Sequence, residues 1–222
     1  MNQPTQFQRL WRALIRFGFR LLYHELAWTY DGVSWLVSLG AWREWQRAGL
    51  KFLSHGRILE LGHGPGHMLA ALERDGRTAV GLDLSPQMGR LARGRTAVPL
   101  ARGRVQALPF ADGAFSAVLS TFPTEYIIDP ETLTAVHRVL AGDGRFVIVP
   151  EGHLTGRGPL RTLIEWLFRI TGQRQGPFAD DADAWEPFRA LFAAAGFAVA
   201  IHRVELPGSV VTVVVATKME KE

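Results

Sequence analysis

The sequence has no cysteine among its 222 residues. Disulfides, thiolate-bound metals and any mechanism built on a cysteine nucleophile are excluded with it. It also has no apolar run of the roughly 20 residues that cross a bilayer. The short basic, apolar and small-residue order of a secretory signal is missing from the first residues, which makes a cytoplasmic protein the expectation. Acidic residues are scarce at one end. Residues 1–53 hold three Asp/Glu against seven Arg/Lys, a net +4 that equals the formal charge of the whole chain. The remainder is neutral overall. Five of the seven tryptophans, Trp11, Trp28, Trp35, Trp42 and Trp45, lie in that same stretch. The N-terminal segment, 1–53, is therefore read as a helical cap, distinct from a domain over 54–222 that is long enough to bury an α/β core.

Within the cap, residues 5–28 follow a helical period. Arg9, Arg12, Arg16 and Arg20 share one face, and Phe7, Leu10, Trp11, Leu14, Leu21 and Leu22 supply another. Such a helix suits a membrane surface, or a domain surface with a solvated arginine stripe. Thr29 to Gly32 interrupt it, and Val33–Leu39 and Trp42–Phe52 continue as shorter helices.

The chain is organised around residues 57–68, RILELGHGPGHM. Arg57–Leu61 read as a buried strand, Gly62, Gly64 and Gly66 as a turn, and Gly66–Asp75 as a helix. A glycine turn between strand and helix sets bare backbone N–H groups at the positive end of a helix dipole. A dinucleotide fingerprint, GxGxxG, would place its third glycine at His67. Here the glycines run GxGxG, and Pro65 removes an N–H that a pyrophosphate could use. Glu60, at the strand's end, would repel a pyrophosphate and suits a cation. Thr78–Leu82 form a second strand that ends in Asp83, 21 residues after Gly62, where a carboxylate can accept from the two hydroxyls of a ribose. Ser85 and Pro86 then open a helix.

The stretch hhExGxGxG, with the acidic residue at Asp83, resembles motif I and its sequel in the class I S-adenosylmethionine (SAM) methyltransferases. GRVQALPF is similar to GDAxxLPF, and VHRVLAGDGRFVIV to RVLRPGGRLVIV, of the methyltransferase type 11 family. YDGVSWLVSLGAWREW is similar to the region before motif I in ubiquinone and menaquinone methyltransferases. The resemblance implies a doubly wound, Rossmann-like α/β fold with seven strands in the order 3-2-1-4-5-7-6, strand 7 antiparallel. The alternation of strands and helices from residue 57, ending in a hairpin across Pro207-Gly208, agrees with it.

The resemblance further implies SAM as cofactor and methyl transfer as the activity, with a small-molecule acceptor. The cofactor residues it points to are Tyr30, Glu60, Gly62, His63, Gly64, Gly66 and Asp83, with Leu84 and Met88 as apolar surface for adenosine. Beyond them lie Gln106 and Ala107 near the adenine, and Thr121, Phe122 and Tyr126 past the fourth strand, Phe115–Ser120. Arg104 stands where the family often has an aspartate, so a third strand over Arg104–Gln106 would offer adenine its backbone or the Gln106 side chain. Tyr23, His24 and Tyr30 would close over the cofactor or pack in the cap. His24, Glu125 and His153 are the candidate bases. No metal is expected. Residues 152–178 read as an insertion with an apolar helix face and four arginines. With the cap, it points to a hydrophobic or amphiphilic acceptor and to peripheral contact with an anionic membrane rather than to nucleic acid. Missing cysteine excludes the usual covalent route of pyrimidine C5 methylation. The alternatives are an NAD(P)-binding oxidoreductase and a non-catalytic SAM-binding protein.

Overall fold

The computed structural model describes residues 30–155, 158 and 185–219. The readings for Tyr23, His24, the arginine stripe and most of the 152–178 segment lie outside the described residues, as does the side chain of Tyr30. The elements are α1 (Tyr30–Ser38), α2 (Trp42–Arg47), β1 (Ile58–Leu61), α3 (His67–Arg74), β2 (Ala79–Asp83), α4 (Pro86–Arg93), β3 (Leu100–Arg102), β4 (Phe115–Thr121), α5 (Pro130–Val139), β5 (Leu140–Leu154), α6 (Glu186–Ala194), β6 (Phe197–Leu206) and β7 (Ser209–Lys218).

The strands form one sheet in the order β3-β2-β1-β4-β5-β7-β6. β1 is buried along its length and pairs in parallel with β2 and with β4, Ile58 standing opposite Ala79 and Ala117. β7 runs antiparallel to β5 and to β6. This is the doubly wound arrangement that the motifs imply. Strand residues alternate between two cores. Leu69, Leu72, Leu119, Val147, Val149 and Val213 meet Trp45 on one face. Leu59, Leu61, Val118, Val136, Phe146, Phe192 and Phe197 meet on the other. Each large side chain so buried contributes about 1.5–3 kcal/mol of transfer free energy.

Local chemistry starts the helices where the sequence says it should. Ser85 Oγ accepts from Met88 N–H at 3.3 Å ahead of Pro86, and Asp129 accepts from Glu131 N–H at 3.0 Å ahead of Pro130. Three expectations are corrected. The third strand is Leu100–Arg102, not Arg104–Gln106, because β2 ends at Asp83 opposite Arg102 and offers nothing further to pair with. Residues Val105–Ala107 form a 3₁₀ turn instead. α5 stops at Val139, since Leu140 already pairs with Phe115. β5 then runs past Pro150 to Leu154, which pairs with Ser209, so residues 152–154 belong to the sheet and not to an insertion. The expected break over Thr29–Gly32 is absent from Tyr30 onward, where α1 begins with Asp31 in its first turn.

α2 lies flat on the sheet. A Cβ on Gly152 would stand 2.4 Å from Cδ2 of Trp45, so only glycine lets the buried indole rest on β5. This contact and those of Trp42 and Gln46 set α2 beside the carboxyl ends of β4 and β5.

Candidate active site

The turn after β1 is held from several sides. Gly62 N–H donates to Leu82 O at 2.8 Å, and Gly66 N–H donates to His63 O at 3.0 Å. Gly64 N–H donates to Asp83 Oδ2 at 2.9 Å, while Asp83 Oδ1 accepts from Ser85 N–H at 2.8 Å. All three glycines have positive φ, 65°, 52° and 85°. Their surroundings differ. A Cβ on Gly62 would lie 2.7 Å from Tyr126 Oη, and one on Gly66 would lie 2.8 Å from Ala92 Cβ. One on Gly64 would meet nothing within 4 Å. The first and third glycines are thus required by the protein's own packing. The middle one exposes bare backbone to open space.

Glu60 lies beneath this turn and is 1% exposed. Burial pushes its carboxyl well above the usual range; the neighbouring Asp83 charge adds to this, and a hydrogen bond from the Leu69 backbone opposes it. Its Oε2 has no hydrogen-bond partner among the described residues. A carboxylate so placed is stabilised by any cation or donor brought to it. The open face of Gly64 and the unsatisfied Glu60 oxygen together suit a ligand that carries cationic groups and a ribose, which is the chemistry of SAM.

Tyr126, Ser120 and the end of β4 form the far wall. Ser120 Oγ donates to Leu61 O at 3.1 Å and lies 3.4 Å from Tyr126 Oη, which keeps the phenol over Gly62. Phe122 adopts φ +50°, a left-handed conformation that costs a non-glycine residue about 1–2 kcal/mol. Its N–H donates to Val149 O at 2.7 Å, and its ring stacks on Trp42 with centroids 3.9 Å apart, which holds the strained geometry. Thr121 Oγ1 accepts from Gln46 Nε2 at 3.0 Å. Two side chains of α2 therefore grip the two residues that close β4. Trp42 and Gln46 were not among the expected site residues; their only signal was a helical period with no stated partner.

The remaining expected residues fall as follows. Leu84 is exposed beside Asp83, 57% accessible. Met88 is not available surface: at 1% exposure it is packed inside, because the Ser85 cap turns its backbone inward. His63 is also buried, its Nδ1–H donating to Gly64 O at 2.7 Å, so it braces the turn from within. The Gln106 amide donates to Asp129 Oδ2 at 3.1 Å, which leaves its carbonyl and the exposed Ala107 for a ligand. Glu125 is exposed at the start of the 3₁₀ turn Glu125–Ile128. His153 lies in β5 with Nε2 3.2 Å from Glu151 Oε1.

Sequence reasoning missed one group altogether. Asp31 accepts from His67 Nε2–H and from Arg95 Nη2, both at 2.7 Å. The residues are 36 and 64 positions apart, and no local spacing could have paired them.

Residues 59–148 match the profile of a family described as a methyltransferase domain. A ubiquinone/menaquinone biosynthesis C-methyltransferase of Geobacter sp. (strain M21) is 33% identical over 146 residues, covering 59% of this chain and 61% of that protein. A demethylmenaquinone methyltransferase of Thermus thermophilus is 30% identical over 207 residues, covering 80% of this chain and 92% of that one. The solved 1,6-didemethyltoxoflavin-N1-methyltransferase of Burkholderia thailandensis, with 1,6-didemethyltoxoflavin and S-adenosylhomocysteine bound, has the same fold at 20% identity. Its TM-score is 0.58, covering 99% of this chain and 94% of that one. Nothing in these comparisons supports the oxidoreductase alternative. With motif, sheet order and relatives in agreement, the chain belongs to the class I SAM-dependent methyltransferases.

Proposed function

We propose that the protein methylates a small, apolar or amphiphilic acceptor at the carboxyl ends of β1 and β4, beneath a cover made by residues 1–53. The observation that carries this reading is the Gly64 turn, open to a ligand above and backed by the unsatisfied Glu60 carboxylate. Glu60, Gly62, Gly64 and Asp83 would hold the cofactor, with Tyr126 and Leu84 beside it. Bound there, SAM supplies an electrophilic methyl group. The protein's own part is to bind, align and keep water out, and alignment alone is worth several kcal/mol. A carboxylate has about four acceptor positions. Backbone N–H groups take two at Asp83, so two remain for ribose hydroxyls. The Trp42–Phe122 stack forms an apolar wall at the end of β4 that excludes water. A base is needed only for an acceptor that starts protonated, and Glu125, His153 and His24 are the candidates.

The relatives' names make a hydroxylated quinone-type ring the first acceptor to try. A lipid-like acceptor also fits α1, whose Trp35 and Leu36 are 63% and 57% exposed, with Val33 and Leu39 beside them. No helix among the described residues is long and apolar enough to cross a membrane. Contact would therefore be peripheral, through this apolar face and the arginines of the first 53 residues. Calorimetry should show binding of SAM and not of NAD, and Asp83→Ala should weaken SAM at least tenfold. Labelled methyl transfer to a short-chain demethylmenaquinol tests the acceptor class. Tight, salt-sensitive RNA binding without any association with anionic vesicles would overturn it.

A further inference from the structure

Asp31 sits in the first turn of α1, yet both its oxygens are committed elsewhere. Oδ1 accepts from His67 Nε2–H and Oδ2 from Arg95 Nη2, each at 2.7 Å. Arg95 spends its other nitrogen, Nη1, on Pro65 O at 2.9 Å. Pro65 and His67 flank Gly66, the last glycine of the cofactor turn. One carboxylate therefore ties the helix that precedes the domain to both sides of that turn. Burial holds the His67 imidazole below its ordinary pKa, against the opposing pull of Asp31, and the Arg95 and Arg43 charges act in the same sense as burial. The ring is thus a neutral N–H donor at physiological pH. The three side chains are partly exposed, Asp31 the most at 37%, so solvent screens the tie. On its outward side, α1 carries the exposed apolar residues Val33, Trp35 and Leu36, and exposed Leu39 follows its end.

We propose that Asp31 is a positioning residue that couples α1 to the cofactor turn, so that the helix bearing the apolar face and the loop bearing Gly64 are ordered together. Whatever engages α1 from outside then stabilises the turn for SAM, and SAM bound at the turn fixes α1 in return. The proposal rests on the reading of the Gly64 turn as the SAM site. That reading is tested first, by whether the unaltered protein binds SAM.

The test compares the full chain with Asp31→Ala, Asp31→Glu and Arg95→Met. Hydrogen exchange in the cofactor-free protein should quicken together over 30–38 and 62–67 in Asp31→Ala and in Arg95→Met, with the β6–β7 hairpin unchanged. SAM affinity should fall by about fivefold in each, with partial recovery in Asp31→Glu. In the unaltered protein, SAM should slow exchange over 30–38, not only at the turn. Exchange at 62–67 that stays put when 30–38 loosens, or SAM affinity that is the same in all four proteins, overturns the coupling. Exchange that quickens across β6 and β7 as well would show general destabilisation and overturns it too. Should Asp31→Ala fail to fold, Arg95→Met carries the same readouts from the solvent side.

Discussion

Three glycines in one turn have three different surroundings, and substitution should separate them. Gly66→Ala forces a methyl group against Ala92 of α4 and should lower the melting temperature. Gly64→Ala meets no atom within 4 Å, so it bears only the left-handed backbone penalty of about 1–2 kcal/mol, yet it should abolish SAM binding. Melting curves and calorimetry on the two variants check the distinction. Glu60 offers a second test. Its carboxyl is raised in the folded protein, so in the window above pH 4.5 the folded state binds more protons than the unfolded one. Stability from this group is present at low pH and lost as pH rises through the folded value. Glu60→Gln should therefore raise the melting temperature of the cofactor-free protein at pH 7 and flatten its pH dependence, while weakening SAM binding. An unchanged melting temperature, or one that falls, contradicts this. The glycine turn and the acidic residue before it stand out in the sequence because the pattern lies in spacing along a strand and a turn. Asp31 does not, since its partners come from two other parts of the chain, and Met88, offered as apolar surface by resemblance, is packed inside.

At the level of elements, the chain reads well wherever propensity and pairing agree, as at α4 and α5 with their Ser85 and Asp129 caps. It reads poorly where a strand's limits are set by its neighbour. β3 ends where β2 ends, and β5 continues to Leu154 because β7 is there to receive it. Neither fact can be found in the sequence of the strand itself. The close approach of Trp45 explains why Gly152 lies within β5, where glycine is normally a weak choice. Gly152→Val should lift Trp45 off the sheet and cost about 1–3 kcal/mol, as overpacking does. Because α2 would move with the indole, the Trp42–Phe122 stack and the Gln46–Thr121 hydrogen bond should loosen too. Urea unfolding followed by tryptophan emission reads both effects. An unchanged midpoint and spectrum would mean that the indole has room that these contacts do not show.

Across the whole molecule, the glycine turn proposed to hold SAM draws on parts of the chain far apart in sequence. β2 supplies Leu82 O and Asp83, β4 supplies Ser120, and the segment after β4 supplies Tyr126. No single strand or helix contains all of them. The turn therefore takes this form only after β2 and β4 have both docked on β1. A ligand that recognises only this state raises stability by mass action, about 2.7 kcal/mol at a hundredfold excess over its dissociation constant. Pulse proteolysis of the purified protein should accordingly show survival that climbs with SAM concentration and does not respond to NAD. In a cell the cofactor supply would then set how long each copy of the protein escapes degradation.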